Sequence, residues 1–214
     1  MPYLTRETPA DESIDCRIMS AALALFVEHG YHRVSVHDIQ KRAAVSIGSI
    51  YNHYGGKEGV ARGLYRHLLG ELEAVIELAR RERDSPREQC EWLIHRFFRY
   101  TESHREIMAF VFATRHREFL PEEPPICNST PFMRLRDIVA RGMALGEFRR
   151  MDPWVAAAAV FGAAVRLMQL RLDGLVGTPL PELADEVIAT TWAGVATTPP
   201  TPGTAEEELA ATGA

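Results

Sequence analysis

The stretch that most constrains this chain is residues 34–57, VSVHDIQKRAAVSIGSIYNHYGGK, because its spacing predicts two short helices separated by a tight turn. Ser35 stands where it can cap the first helix, and Asp38 follows three residues later, close to a capping box. That helix would end near Ala43. After a short turn, Ser46 is placed to cap the second helix.

The second short helix has a buried side and a polar side. Ile50 and Tyr54 are four residues apart, which places both on the face that turns inward. Gly48 lets the backbone come close to whatever lies opposite. The residues that project away from the buried pair are Ser46, Ile47, Ser49, Tyr51, Asn52 and His53. A compact helix pair whose second member has a hydrogen-bonding outer face is what the DNA major groove admits, so the pattern predicts a DNA-binding element.

With the helix before it, this stretch resembles the DNA-binding domain of the TetR family of bacterial transcriptional regulators. The matching residues cover about the first quarter of the chain: Ala22, Leu25, Phe26, Gly30, Tyr31, Val34, Ser35, Val36, Ile39, Ala43, Val45, Ser46, Gly48, Ile50, Tyr51, His53, Tyr54, Lys57 and Glu58. Three positions depart from the family pattern. Ala44 stands where glycine is usual in the turn, and a left-handed alanine there would carry a strain of about 1 kcal/mol. Tyr54 replaces a phenylalanine, and Gly56 stands where serine or asparagine often caps the following helix.

The expected DNA contacts form two groups. We expect base-edge or phosphate contacts from Ser46, Ser49, Asn52 and His53, phosphate contacts from Arg33, Lys41, Tyr51 and Lys57, close backbone approach at Gly48, and a side chain facing the DNA at Ile47. Ser35 would cap its helix and also meet a phosphate. The alternative interpretation is that each of these is an ordinary exposed polar residue.

The net charge of the chain indicates that any DNA-binding surface is a local patch and not the whole protein surface. The net charge of −5 and the pI near 5.9 argue against a protein that coats nucleic acid with its whole surface. A local basic patch must therefore carry any DNA affinity. The predicted patch consists of Arg33, Lys41, Arg42 and Lys57.

The chain as a whole is predicted to be all-α, with about nine helices. Five times a capping side chain stands just before a proline, a pairing that suits the first turn of a helix: Thr8-Pro9, Ser85-Pro86, Thr130-Pro131, Asp152-Pro153 and Thr178-Pro179. The predicted organisation is a helix-turn-helix bundle (8–56), a connecting helix (57–84), an effector-binding and dimerisation domain (85–196) and a disordered tail (197–214). The proline-rich segment REFLPEEPPICNST is expected to run over the surface.

The cysteines and the hydropathy pattern favour a soluble cytoplasmic protein. Cys16, Cys90 and Cys127 are far apart and lack metal-ligand spacing, so they are expected to be free thiols. The N-terminus does not have the pattern of a signal peptide. The longest apolar run, residues 154–165, is shorter than a membrane span requires. We expect no membrane partner, no cofactor and no metal.

The resemblance also implies a ligand-binding C-terminal domain, although it names no ligand. Aromatic, methionine and polar residues at helical spacing are candidates to line the effector pocket: Phe97, Tyr100, His104, Met108, Phe112, His116, Phe161, Met168 and Gln169. Met and Phe at this spacing are as often plain core residues.

The last two helices are expected to need a partner. The helix that begins at Pro153 is apolar nearly all round in its first half, and a second subunit would cover the faces that its own core leaves open. In TetR-type proteins the last two long helices pair across a two-fold axis. The residues predicted at the interface are Ala156, Val160, Ala163, Leu167, Leu183, Val187 and Thr191. The alternative is that both helices form the core of a monomer.

These patterns and the resemblance together predict a homodimeric transcriptional regulator, and they favour a repressor. A small molecule would release it from a palindromic operator. Two rival hypotheses remain. The first is a helical enzyme or metal-binding protein that uses His95, His104 and His116, although no recognised metal or nucleophile motif is present. The second is an interaction module whose N-terminal bundle binds protein instead of DNA.

Overall fold

Helices account for nearly all the regular structure in the computed structural model, which describes Leu4 and residues 13–197. The nine α-helices of this part are α1 (Ile14–His29), α2 (Val36–Ala43), α3 (Ile47–Tyr54), α4 (Lys57–Glu82), α5 (Pro86–Ser103), α6 (Arg105–Ala113), α7 (Thr130–Ala144), α8 (Pro153–Leu172) and α9 (Leu180–Val195). Short 3₁₀ turns lie at Tyr31–Arg33, His116–Glu118 and Ile126–Asn128. The all-α prediction is confirmed. The predicted helix start at Thr8-Pro9 and residues 198–214 of the predicted tail lie outside the described residues.

The first three helices form a small bundle, which we call the reading head (residues 14–56). Its core contains Ile18, Ala22, Ile39 and Ile50, each fully buried, and Ile50 is a residue that the sequence placed on an inward face. The first helix ends at Gly30, whose positive φ of 79° suits a residue without a side chain.

Helix α4 joins the reading head to the rest of the molecule. One side of it is buried along its whole length, from Val60 through Leu64, Leu68 and Leu72 to Ile76. At its N-terminal end α4 packs on α1 and α3, and further along it packs on α5, α6 and α7. A single continuous helix therefore contacts both parts of the protein.

The larger part, α5 to α9, is a helical body around α5, whose residues Leu93, Ile94 and Phe98 are fully buried. Ser85 caps α5 through a capping box with Glu88, and Asp152 caps α8. These caps lie at two of the predicted proline sites. Helix α9 begins at Leu180, one residue beyond its proline.

The segment between α6 and α7, residues 114–129, differs from the prediction of a surface loop. We call it the strap. Phe119 and Leu120 are only 9% and 1% exposed, and Ser129 is buried too. Burying each of these two apolar side chains contributes about 2 kcal/mol of favourable free energy, which holds the proline-rich segment against the body.

Helix α8 is long and apolar enough to cross a membrane by length and composition alone. In the structure it is instead one helix of the body, packed against α5, α6, α7 and α9. Only 28% of its most apolar window is buried, so much of its apolar surface has no cover within the described protomer.

The burial of residues on α8 and α9 differs from what the predicted dimer interface requires. Ala156, Val160, Val187 and Thr191 are buried inside the protomer, so they belong to its own core. Leu167 and Leu183 are half-buried, and Ala163 is exposed. Like Ala163, several small or apolar residues of the two helices are exposed: Val155, Ala159 and Gly162 on α8 and Ala189, Thr190 and Ala193 on α9.

Candidate nucleic-acid interface and apolar cavity

Helix α2 begins with a complete capping box. The Ser35 Oγ accepts the Asp38 backbone N–H at 3.2 Å, and the Asp38 carboxylate accepts the Ser35 N–H at 2.8 Å and its hydroxyl at 2.6 Å. These hydrogen bonds from Ser35 lower the pKa of the Asp38 carboxyl. Because the Ser35 hydroxyl proton is already donated to Asp38, the cap leaves this residue less able to donate to a phosphate than the sequence prediction assumed.

The turn between α2 and α3 is held in one conformation by several hydrogen bonds. Ala44 is left-handed, with φ 51° and ψ 49°, as the comparison with the usual glycine predicted. The Val45 N–H bonds to the Gln40 carbonyl at 3.3 Å, which is the pattern of a Schellman motif. The Gln40 amide donates to the Val45 carbonyl at 2.9 Å, and Arg17 donates to the Ala44 carbonyl at 2.9 Å. The hydrogen bond from Arg17 therefore fixes the turn between α2 and α3 against α1.

Helix α3 presents the predicted outer face to solvent. Ser46 caps it by accepting the Ser49 N–H at 3.1 Å, and the two hydroxyls are 2.8 Å apart. Ile50 is fully buried on the opposite side, while Tyr51 is 54% exposed. The other exposed residues of this face are Ile47, Gly48, Asn52 and His53.

His53 is exposed and forms a pair with a carboxylate of α1. Its Nδ1 lies 3.0 Å from the Asp15 carboxylate of α1. The same carboxylate accepts the Tyr54 hydroxyl at 3.2 Å, and burial together with the Asp15 charge raises the pKa of Tyr54. Asp15 therefore holds the C-terminal end of α3 against α1, a contact that no spacing in the sequence predicted.

Lys57, predicted to hold a phosphate, has an internal role. Its ammonium donates to the backbone carbonyls of Tyr31 at 3.1 Å and Val34 at 2.9 Å, and it lies 4.1 Å from the centre of the Tyr31 ring. Burial lowers the pKa of Lys57. The lysine closes the turn between α1 and α2, and only one of its three N–H donors is left for a phosphate.

The predicted basic patch is smaller than the sequence indicated. Arg42 pairs with Glu28 at 3.3 Å, and Lys57 is directed inward. Arg33 and Lys41 are exposed on the same reading head. They are the two cations of the predicted patch that are best placed to meet phosphates.

A cavity of about 310 Å³ opens in the body between α5, α6, α7, α8 and the strap. The structure brings five of the nine predicted pocket residues to it: Phe97, Phe112, Phe161, Met168 and Gln169. The sequence analysis missed Phe132, Leu135, Trp154, Ala157, Ala158, Gly162, Ala164 and Val165, and also Cys127, Arg136 and Arg166. The strap residue Cys127 gave no usable signal, because its segment was interpreted as a surface loop.

The lining is apolar apart from a few polar groups, of which Arg136, Arg166 and Gln169 carry hydrogen-bond donors. The Arg136 guanidinium lies 3.9 Å from the centre of the Trp154 ring and donates to the Cys127 carbonyl at 2.7 Å. The Gln169 amide donates to the Phe112 carbonyl at 2.9 Å. Such a lining suits a mainly apolar ligand with one anionic or polar end.

The other four predicted pocket residues do not line this cavity. Met108 is a fully buried core residue, and Tyr100 is 8% exposed. His104 lies at the end of α5, where its Nδ1 is 2.7 Å from the Ser103 hydroxyl. His116 is buried among the rings of Tyr65 and Phe110, with centroids 4.8 and 4.9 Å away.

The histidines of the metal hypothesis lie apart. His95 is 3.4 Å from Asp185, while His104 and His116 have the separate surroundings described above. Within residue 4 and residues 13–197, no group of three His, Cys, Asp or Glu side chains could hold a metal ion.

Residues 18–64 match the model of a protein family described as bacterial regulatory proteins, tetR family. This range contains the capping box, the left-handed turn and the exposed face of α3. Over residues 18–64 the chain has a domain of the tetR family of bacterial regulatory proteins.

Curated relatives match this chain over part of their length. The fatty acid metabolism regulator protein of Bacillus subtilis (strain 168) is 29% identical over 82 residues, which are 38% of this chain and 42% of that protein. The A-factor receptor protein of Streptomyces griseus is 36% identical over 47 residues, or 22% of this chain and 17% of the receptor. The matches therefore span less than half of these relatives.

Solved structures extend the likeness to the whole fold. The fatty acid degradation regulator FadR from Bacillus halodurans has a TM-score of 0.75 at 20% identity, covering 87% of this chain and 98% of that one. FadR from Bacillus subtilis, in a complex with stearoyl-CoA, has a TM-score of 0.71 at 22% identity, covering 83% and 97%. The fold of this chain, including its helical body, is therefore similar to the fold of these two proteins.

Proposed function

We propose that this protein is a homodimeric transcriptional repressor in the cytoplasm that binds a palindromic operator and leaves it when a small molecule occupies the body. The observation that carries the proposal is the geometry of α3. Its outer residues are exposed and polar, and its position is fixed by a cap at Ser46, the motif at Ala44 and the contact of Asp15 with Tyr54. A rigid helix with such a face is suited to the major groove.

The proposed dimer would form through α8 and α9. Small exposed residues, Ala159 and Ala163 on α8 and Ala189 and Ala193 on α9, allow helices of two protomers to approach closely. Packing would remove the uncovered apolar surface of α8 from water, which is the main favourable term in association. A two-fold axis between the protomers would place two copies of α3 on one face of a duplex.

The proposed effector has an apolar chain and a negatively charged end. The cavity supports this assignment, because its walls are apolar and Arg136 and Arg166 are among the residues that line it. Its volume of about 310 Å³ lies at the lower end of the range for ligand sites. The stearoyl-CoA bound to the Bacillus subtilis regulator is a compound of this class, so acyl-CoA esters and fatty acids are the first compounds to test.

Release of DNA requires that the effector bind one spacing of the two reading heads more tightly than the other. A ligand that bound both states equally would shift nothing, however tight its binding. Any catalytic activity would need a further site, and we propose none.

The test is selection of duplex DNA from a random-sequence library, followed by affinity measurements at several salt concentrations. Tyr51→Ala and Asn52→Ala should each weaken binding about 10- to 100-fold, since a good base or phosphate contact is worth about 1–3 kcal/mol. Lys41→Ala should also reduce the salt dependence by about one counterion. Lys57→Ala is a poor probe, because it removes the support of the turn at Tyr31 and Val34.

The matched control is Arg81→Ala, which removes an exposed cation at the far end of α4. It should leave both affinity and salt dependence nearly unchanged. If no duplex is enriched, or if the α3 variants bind as tightly as Arg81→Ala, the DNA-binding proposal is wrong.

A further inference from the structure

We infer that the strap, residues 114–129, is the element that couples occupancy of the cavity to the position of the reading head. The inference rests on the proposed function and assigns its regulation to named contacts. The strap touches the reading head, α4 and the cavity within nine residues, from Phe119 to Cys127.

The first contact joins the strap to the reading head. The ring of Phe119 stacks on the ring of Tyr31 with centroids 4.3 Å apart and planes 13° from parallel. Phe119 is 9% exposed, and Lys57 lies over the Tyr31 ring at 4.1 Å. Because Lys57 also donates to the Tyr31 and Val34 carbonyls, a displacement of Phe119 would act on the turn that leads directly into α2.

The second contact joins the strap to α4. The Glu123 carboxylate is 2.7 Å from Arg66 and 3.7 Å from Arg62, and only 11% of its side chain is exposed. The Tyr65 hydroxyl donates to the Pro124 carbonyl at 3.3 Å. The middle of the strap is therefore fixed to the helix that runs from the head into the body.

The third contact joins the strap to the cavity. Cys127 lines the cavity, and its carbonyl accepts a 2.7 Å hydrogen bond from Arg136, which lines the cavity too. A ligand with an anionic end would draw the Arg136 guanidinium toward itself, away from Cys127 and from the Trp154 ring. The strap would lose its anchor at the cavity just when the cavity fills.

Two discrete positions of the strap are the consequence. Packed side chains repack between alternatives rather than deform smoothly, and the stack of Phe119 on Tyr31 can be kept or lost as a unit. In the present structure the stack is formed and the turn at Tyr31 is closed. We assign this arrangement to the DNA-binding state, and loss of the stack to the released state.

Cys127 provides a test that needs no knowledge of the natural effector. It is exposed at the cavity, whereas Cys16 and Cys90 are buried, and burial raises the pKa of the Cys90 thiol. N-octylmaleimide should therefore label Cys127 selectively and place an apolar chain in the cavity. Labelling of the full chain should weaken binding to the selected duplex at least 10-fold. It should also speed hydrogen exchange of the Arg33 and Val34 amides, which now bond to Gly30 and Tyr31.

Variants of the stack separate coupling from simple damage. Phe119→Leu keeps an apolar side chain but loses the stack, so before labelling it should already bind the duplex more weakly than the unchanged protein. Labelling this variant should change its own DNA affinity less than 3-fold and should not further speed exchange of the two amides. Phe119→Tyr keeps the stack and should respond like the unchanged protein. Tyr31→Leu breaks the stack from the other side and replaces Phe119→Leu if that variant does not fold.

A label at a remote site is the remaining control. The double variant Cys127→Ser, Arg81→Cys carries the same octyl chain at the far end of α4 and should bind DNA as before. An equal loss of affinity in labelled Phe119→Leu, or no loss in the labelled unchanged protein, overturns the inference. Unlabelled protein that binds no duplex overturns the proposed function instead, and the exchange of the two amides then still decides whether the strap reaches the head.

Discussion

His116 was assigned one role from the sequence and has another in the structure. From the sequence it was a candidate pocket residue or metal ligand. In the fold it is 7% exposed between the rings of Tyr65 and Phe110, and its Nε2 has no hydrogen-bond partner in the described part of the chain. Its neighbours come from α4 and α6, so no local pattern around residue 116 could reveal that it is buried.

Burial should make His116 a source of acid sensitivity. It lowers the pKa of His116 from 6.5 to about 4, against a smaller opposing effect of a hydrogen bond with the Phe110 backbone. The unfolded chain thus binds more protons between these values, and stability rises with pH from about 4 to 6.5 and is lost as the pH falls through that range. The contribution lost between pH 7 and pH 5 should be about 2 kcal/mol.

Replacement by an aromatic ring that does not titrate tests this assignment. Denaturant unfolding of His116→Phe at pH 7 and pH 5 should show a smaller difference than the unchanged protein, by about 2 kcal/mol. His95→Phe removes a half-buried histidine of α5 by the same substitution and is the matched control for the change of side chain itself. An identical pH dependence in His116→Phe would show that His116 is not the group responsible.

At the scale of elements, the sequence predicts best where the physics is local. The caps at Ser35, Ser46 and Ser85 and the buried side of α4 follow from spacings of three and four residues, and the structure contains them. The strap was mispredicted because proline content does not reveal the partners of Phe119 and Leu120. Some residues of α8 that were predicted at the interface lie in the protomer's own core instead. A helix that is apolar nearly all round has no hydrophobic periodicity, so its sequence does not show which side faces the core.

The end of α2 offers a prediction of stability at this scale. Ala44 is left-handed, so Ala44→Gly should stabilise the protein by about 1 kcal/mol, which is worth about 2–4 °C in the unfolding temperature. The measurement is thermal unfolding followed by circular dichroism. Ala74→Gly is the control at an exposed position within α4, where the same change should destabilise by about 1 kcal/mol. Equal effects of the two substitutions would contradict the assignment of strain to Ala44.

At the scale of the whole molecule, the proposed binding to an operator requires two protomers that act together. One reading head has few free cations, Arg33 and Lys41 among those predicted, and only one short helix for the major groove. A single head would therefore bind weakly, and a two-fold pair would double the contacts on successive grooves. In the proposed dimer the two protomers meet at the exposed surface around Ala163. The interface predicted from the sequence also included residues that lie in the core of the protomer.

The most direct measurement is a hydroxyl-radical footprint of the selected duplex, made with the unchanged protein and with Ala163→Glu, which introduces a charge into the proposed interface. The account predicts two protected patches about 34–36 Å apart, one helical turn of DNA, and a dimer by sedimentation. It predicts that Ala163→Glu is folded but monomeric and loses both patches together, while Ala74→Glu, exposed on α4, remains dimeric and protects both. A single protected patch, or full protection by a monomeric Ala163→Glu, would contradict the claim that two copies of α3 bind the operator as a pair.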